Sequence, residues 1–296
     1  CTAGGLGFAL AKEAHAKGLR VFACSRTLES MAPLAEMGIE TLVLDVTRER
    51  DIQEVKAVIA ERTGRSMFLS TTRDGIADAF AVSDFSMVRV RHLYDVNLFG
   101  AIGMTHALLP LLRAARDHDV CVVLVSSLAS KMPIPFNAAY NSAKAALNSF
   151  GDTLRVEMAP FGVNVLNVLS GNVQSNIMKP TTLPDNSIYQ PIKDMRSKVR
   201  CNCVSYAYIV TPNSQLLPEE GATPADVWAK AVIAESLKRK PRDQLWIGQN
   251  WFMVWFVSTF LPRRVSVSGY TYIYFVLFTS SSSGHADVED VWDDRT

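Results

Sequence analysis

Short apolar runs alternate along the first half of the chain with longer stretches in which apolar residues recur every three or four positions. Runs at 20–24, 40–44, 67–69, 120–125 and 163–169 read as strands buried on both faces, because they are nearly continuous in apolar residues. Between them, 6–17, 51–61, 88–112 and 138–158 carry helical periodicity, and each crossover is long enough to return the chain to a parallel neighbour. The alternation predicts an α/β fold, a doubly wound parallel sheet with helices on both faces.

After Gly171 the pattern changes. Residues 174–220 are rich in Pro, Asn and Ser, and read as an excursion over the ligand end of the sheet. A helix follows over 223–238, opened by Thr223-Pro224-Ala225-Asp226. Residues 241–264 then read as an apolar C-terminal helix. Its core, 245–261, carries Trp246, Trp251 and Trp255 and is flanked by Lys238, Arg239, Lys240 and Arg242 before and Arg263 and Arg264 after. Such a segment suits a membrane surface, or packing on the sheet or on a second subunit of a homo-oligomer. The expected organisation is a nucleotide-binding catalytic domain over 1–240, this helix over 241–264, and a poorly ordered tail over 265–296. That tail includes an apolar run, 270–278, able to act as a strand.

Charge narrows the partners. Thirty basic against twenty-nine acidic residues leave a formal charge of +1, and such a balance offers no field for nucleic acid. The five cysteines, Cys1, Cys24, Cys121, Cys201 and Cys203, lack C-x-x-C spacing and fit a reducing compartment. No histidine pair has ligand spacing, so no metal is expected.

The candidate chemistry begins at Gly4-Gly5-Leu6-Gly7, where glycines and a helix N-terminus can approach a phosphate. Arg26 follows the 20–24 strand, where an acidic residue would bind a ribose hydroxyl; a guanidinium there suits a 2′-phosphate. Tyr140 and Lys144 lie four apart on one helical face, and a neighbouring ammonium lowers a phenol's pKa. Ser127 lies thirteen residues upstream at the end of a strand.

In order and spacing, Gly4–Gly7, Arg26, Asp45-Val46, Asn97, Ser126-Ser127-Leu128-Ala129 and Tyr140–Lys144 resemble the short-chain dehydrogenases/reductases, from residue 1 to about 171. The finer texture resembles fungal NADPH-dependent acyl-dihydroxyacetone-phosphate reductase-like members. The resemblance implies a Rossmann-like fold and an NADP(H)-dependent oxidoreductase interconverting a ketone and a secondary alcohol on a lipid-like or other bulky apolar substrate. It implies Tyr140 as general acid/base, Lys144 as the group that lowers its pKa and bonds the nicotinamide ribose, and Ser127 as the residue polarising the carbonyl. Asn97 would hold a proton-relay water, and Asp45 would meet adenine. Val46, Gly171 and Val173 complete the expected cofactor contacts with Gly4, Gly5, Leu6, Gly7 and Arg26. The location implied is the cytoplasm, at the surface of the endoplasmic reticulum or lipid droplets.

The sequence also departs from the family. Cys1 falls inside the glycine turn, so the family's first strand is absent, and the chain as written reads as N-terminally truncated, expected to fold poorly and turn over little. Thr72-Arg73-Asp74-Gly75 keeps only the glycine of the family's N-N-A-G turn, and Ser170-Gly171 replaces Pro-Gly. These departures carry the competing expectation, a catalytically impaired Rossmann-like binding scaffold.

Overall fold

The computed structural model describes residues 1–64, 68–71, 80–115, 120–175, 183–190, 222–265 and 267–268. Six strands, β1 (Phe22–Ser25), β2 (Glu40–Val43), β3 (Phe68–Thr71), β4 (Val120–Ser127), β5 (Val163–Ser170) and β6 (Gln244–Ile247), run parallel to their neighbours. They form two sheets, β1-β2 and β3-β4-β5-β6, and among the described residues no strand joins β1 to β3. The helices are α1 (Leu6–Ala16), α2 (Ala32–Glu36), α3 (Glu49–Thr63), α4 (Met87–Tyr94), α5 (Gly100–Ala114), α6 (Ala138–Met158), α7 (Ala225–Ser236) and α8 (Trp251–Phe260).

Strand alternation divides the core. Val120, Val122 and Leu124 of β4 face Ile52, Val55 and Ile59 of α3, Leu108 and Leu112 of α5, and Leu147 and Leu154 of α6. Cys121, Val123 and Val125 point the other way, onto Leu10 and Ala14 of α1 and Trp228, Ala229, Val232 and Ile233 of α7. Every second side chain therefore lands in the opposite layer, as the pleat requires. Burial of each such Val or Leu contributes about 1.5–3 kcal/mol. Leu124 is fully buried, and Leu124→Ala at such a site costs about 2–5 kcal/mol. The register pairs Ser127 with Ser170, so the carboxyl ends of β4 and β5 meet at one rim, where ligands of open α/β sheets bind.

One expectation is refined and one corrected. The 88–112 stretch is helical throughout, α4 running through a five-residue π-helical turn at Asp95–Phe99 into α5. The stretch Met87–Ala114 has the length and composition to cross a membrane, but 61% of its apolar window is buried inside the fold, so it is a core helix. The 241–264 segment is not one helix. Gln244–Ile247 pairs with β5 as the edge strand of the catalytic sheet, and the chain then turns through Gly248 (φ +102°) and Asn250 (φ +66°) into α8. A continuous apolar run conceals this boundary, because a buried strand and a buried helix read alike over so few residues. Trp246 consequently sits on β6, apart from Trp251 and Trp255 on α8. The turn at 72–75, most of 174–220, Cys201, Cys203, and the 270–278 run with nearly all of the tail lie outside the described residues.

Candidate active site

β4 delivers Ser127 to the rim in an extended conformation (φ −146°, ψ 155°), where its hydroxyl accepts the Ala129 N–H at 3.1 Å and caps a short 3-10 turn, Leu128–Ser130. Ser130 closes the turn by donating its hydroxyl to the Ser127 carbonyl at 2.6 Å. Opposite lies α6, formed over the span its periodicity predicts, with Tyr140 and Lys144 one turn apart. Lys144 is 7% exposed, and its Nζ donates to the Val125 carbonyl at 3.0 Å. Burial pulls this ammonium down to about 8, because a low-dielectric surrounding penalises the charged form.

Burial pushes the Tyr140 phenol above its ordinary value, and a hydrogen bond with Ser127 pulls it back down in part. The downward pull thus comes from Ser127, where the sequence pointed to Lys144. The Lys144 Nζ lies 5.8 Å from the Tyr140 ring centroid. Burial pushes the thiols of Cys24 and Cys121 up, to about 11 and about 12, so both stay protonated at neutral pH.

Asn97 is buried in the π-helical turn, which packs against α6. Such turns recur at functional sites because the extra residue redirects a side chain. The Tyr94 hydroxyl donates to Ser142 Oγ at 2.7 Å and ties α4 to the middle of the Tyr140–Lys144 segment.

The remaining predicted residues lie at strand ends around α1. Gly4 has φ +76°, in the left-handed region that favours glycine, and Gly5 is the N-cap of α1 with Leu6 and Gly7 in its first turn. The Ala3 N–H reaches the Ser30 carbonyl at 3.3 Å and the amino group of Cys1 reaches the Cys24 carbonyl at 2.6 Å, so the glycine turn and the β1 end form one rim. Arg26 projects from that rim, exposed. Asp45 follows β2, its carboxylate accepting the Thr47 N–H at 3.0 Å and hydroxyl at 2.8 Å, while Val46 packs on the core. Beyond β5, Gly171 N–H donates to the Ile247 carbonyl at 2.7 Å, and a Cβ on Gly171 would strike the Gln249 carbonyl. Val173 is buried, and the fully buried Trp228 of α7 donates from Nε1 to Ser170 Oγ at 3.0 Å.

The sequence reading passes over Ser130, Asn148 and Trp228. A signal existed for Asn148, which continues the four-residue spacing of Tyr140 and Lys144.

A half-buried phenol, a buried ammonium and a serine hydroxyl at the carboxyl ends of a parallel sheet make an arrangement able to move one proton at the rim where such sheets take ligands. The model of the short chain dehydrogenase family matches residues 1–186, and the chain belongs to that family of oxidoreductases. Relatives include a short-chain dehydrogenase of Neurospora crassa, 35% identical over 90% of this chain and 86% of that protein. The NADPH-dependent 1-acyldihydroxyacetone phosphate reductase of Schizosaccharomyces pombe is 34% identical over 77% of this chain and 83% of its own length. Among solved structures, a short-chain dehydrogenase from Streptomyces avermitilis superposes with a TM-score of 0.71 at 22% identity, covering 94% of this chain and 95% of that one. An alcohol dehydrogenase from Thermococcus sibiricus, complexed with 5-hydroxy-NADP, gives 0.63 at 19% identity over 83% and 93%. These two structural likenesses establish the Rossmann-type fold. The family uses NAD(P)(H), and the donor set fits such a group: open amides at the α1 N-terminus and a guanidinium on the same rim.

Proposed function

We propose that the chain is an NADP(H)-dependent reductase interconverting a ketone and a secondary alcohol on a bulky, apolar, lipid-like substrate. The observation that carries this is the half-buried Tyr140 and buried Lys144 beside Ser127, with Arg26 exposed on the glycine rim. Gly4–Gly7 would hold the pyrophosphate, Arg26 the 2′-phosphate, and Asp45, Val46, Gly171 and Val173 the remainder. When bound, the nicotinamide supplies or accepts the hydride. Tyr140 gives its phenolic proton to the carbonyl oxygen as the alcohol forms, and recovers it in reverse. Ser127 donates a hydrogen bond to that oxygen, and Lys144, held by the Val125 carbonyl, stabilises the phenolate left behind. Asn97 holds the water that returns a proton. The Schizosaccharomyces pombe relative's name, an NADPH-dependent reductase of an acylated ketone, supports both the cofactor and the substrate class.

A membrane surface is the partner that α8 favours. Only Val254 of this helix is buried, while Phe252, Phe256 and Phe260 are 59%, 45% and 59% exposed. Exposed Arg263 and Arg264 follow the helix directly, and cations next to exposed aromatics suit an anionic lipid surface; Lys238, Arg239, Lys240 and Arg242 are exposed too but precede the edge strand. The location that goes with this reading is the cytoplasm, at the surface of the endoplasmic reticulum or lipid droplets.

The test is loss of reduced-nicotinamide absorbance with the full chain and a long-chain methyl ketone. Faster oxidation of NADPH than of NADH is expected. NADPH binding with no turnover of any ketone would overturn the enzyme reading and leave a dinucleotide-binding scaffold. For the membrane, flotation with anionic vesicles should recover the chain and should fail for Phe252→Ser/Phe256→Ser; equal flotation of both would remove α8 as the anchor.

A further inference from the structure

Three side-chain bonds cross from the end of β4 to α6. Two converge on Lys144: its Nζ donates to the Val125 carbonyl, and Ser126 Oγ donates to the Lys144 carbonyl at 3.2 Å. The third lies one turn further along. Asn148 Nδ2 donates to Ser130 Oγ at 2.7 Å, and Ser130 in turn donates to the Ser127 carbonyl at 2.6 Å. Asn148 is 4% exposed, and its main-chain carbonyl accepts Asn167 Nδ2, from the fully buried Asn167 of β5, at 3.2 Å. Tyr140, Lys144 and Asn148 form a single stripe down α6.

We propose that Asn148 and Ser130 are positioning residues, which clamp the peptide of Ser127 to α6 and so set where the Ser127 hydroxyl meets the Tyr140 phenol. The clamp matters because the two partners arrive on different elements, and an error of about 1 Å in such a pair costs about 10²-fold in rate. Val125 and Ser126 bond only the lysine end of the stripe. The Ser127 hydroxyl already accepts the Ala129 N–H, so its direction follows the 3-10 turn, and that turn is fastened to α6 through Ser130. With the clamp released, the Ser127 bond that holds the phenol down would weaken, and Tyr140 would titrate higher. The other groups around Tyr140 are Lys144 on its own helix and Tyr94 of α4, packed in the same apolar cluster. Lys131 and Asp152 line the open cleft beside the clamp. Neither substitution below alters any of these.

The proposal rests on Tyr140 as the acid/base but is readable without turnover. The phenolate absorbance of Tyr140 is isolated as the difference between the full chain and its Tyr140→Phe variant, and repeated in Asn148→Leu and Ser130→Ala backgrounds. Both substitutions should raise the Tyr140 midpoint and lower kcat for ketone reduction by about 10- to 100-fold, with the NADPH Kd within about twofold. The double variant should be no worse than either single one, because both break the same chain of bonds. Unchanged midpoint and kcat with only a lower Tm would overturn the clamp. If Asn148→Leu fails to fold, Ser130→Ala, in a half-buried turn, carries the same readouts. A wild-type chain inactive on every ketone would defeat the enzymatic reading, while the midpoint would still decide the clamp.

Discussion

The two halves of the site are built differently. The half built from β4 and α6 is held by two buried side-chain bonds, Lys144 to Val125 and Ser126 to Lys144, and a part-buried one, Asn148 to Ser130. The nucleotide half, α1 with β1, is fastened largely by main-chain bonds, with Arg26 projecting into solvent. Buried polar bonds are costly to break, since each orphaned partner loses about 1–3 kcal/mol. An exposed arginine can be exchanged without disturbing any packing. On the proposed reading, chemistry would be fixed in the interior and cofactor choice left adjustable at the rim.

The comparison fails most visibly if Tyr140 is dispensable. Tyr140→Phe should lower ketone turnover by about 10²–10⁴-fold with NADPH affinity nearly intact; steady-state kinetics beside a binding titration check both. At the rim, Arg26→Ala should weaken NADPH by about 10- to 100-fold, since charge-assisted hydrogen bonds contribute about 1.5–3 kcal/mol, and weaken NADH far less. Equal loss for both nucleotides would show that the rim has only a structural part in binding.

Lys144→Met sharpens the contrast through stability. The Lys144 ammonium is held at about 8 against an ordinary 10.5, so the folded state binds this proton less well than the unfolded one. Below about pH 8 both states carry the charge and the fold bears its desolvation cost, whereas above 10.5 both are neutral and the cost is gone. The methionine variant should be more stable by about 1–3 kcal/mol at pH 7, the advantage shrinking as pH rises from 8 to 10.5. Denaturant titrations across that range measure it, and the same variant should be inactive. The smallest effect is expected at Gly4→Ala, about 1 kcal/mol from placing a Cβ at φ +76°, read as a drop in Tm.

Legibility follows the same division. The α6 helix and the Tyr140–Lys144 pair were readable because a long amphipathic period and a short motif coincide on one element. The Ser130–Asn148 bond was not, because it joins a turn to a helix eighteen residues away and each residue alone looks like an ordinary polar position. The π-helical turn at Asp95–Phe99 was hidden inside an unbroken helical pattern, since one added residue barely disturbs a period of 3.6. The β6–α8 boundary was hidden by hydrophobicity that serves two different partners: Leu245 packs with Trp228 and Ile233, and Val254 with Leu128, Met132 and Leu169. What sequence conveys poorly is which of two apolar environments a run of apolar residues enters.

The contact between Gly171 and the Gly248–Gln249 turn has a consequence for how this sequence can vary over time. A Cβ on Gly248 would lie 2.8 Å from the Gly171 nitrogen, and one on Gly171 would meet the Gln249 carbonyl. Neither position can gain a side chain while the other stays where it is. In heredity the two glycines, seventy-seven residues apart, therefore behave as a single character. Any lineage that rebuilds the nucleotide-side loop after β5 must redraw the entry to the aromatic helix in the same stroke.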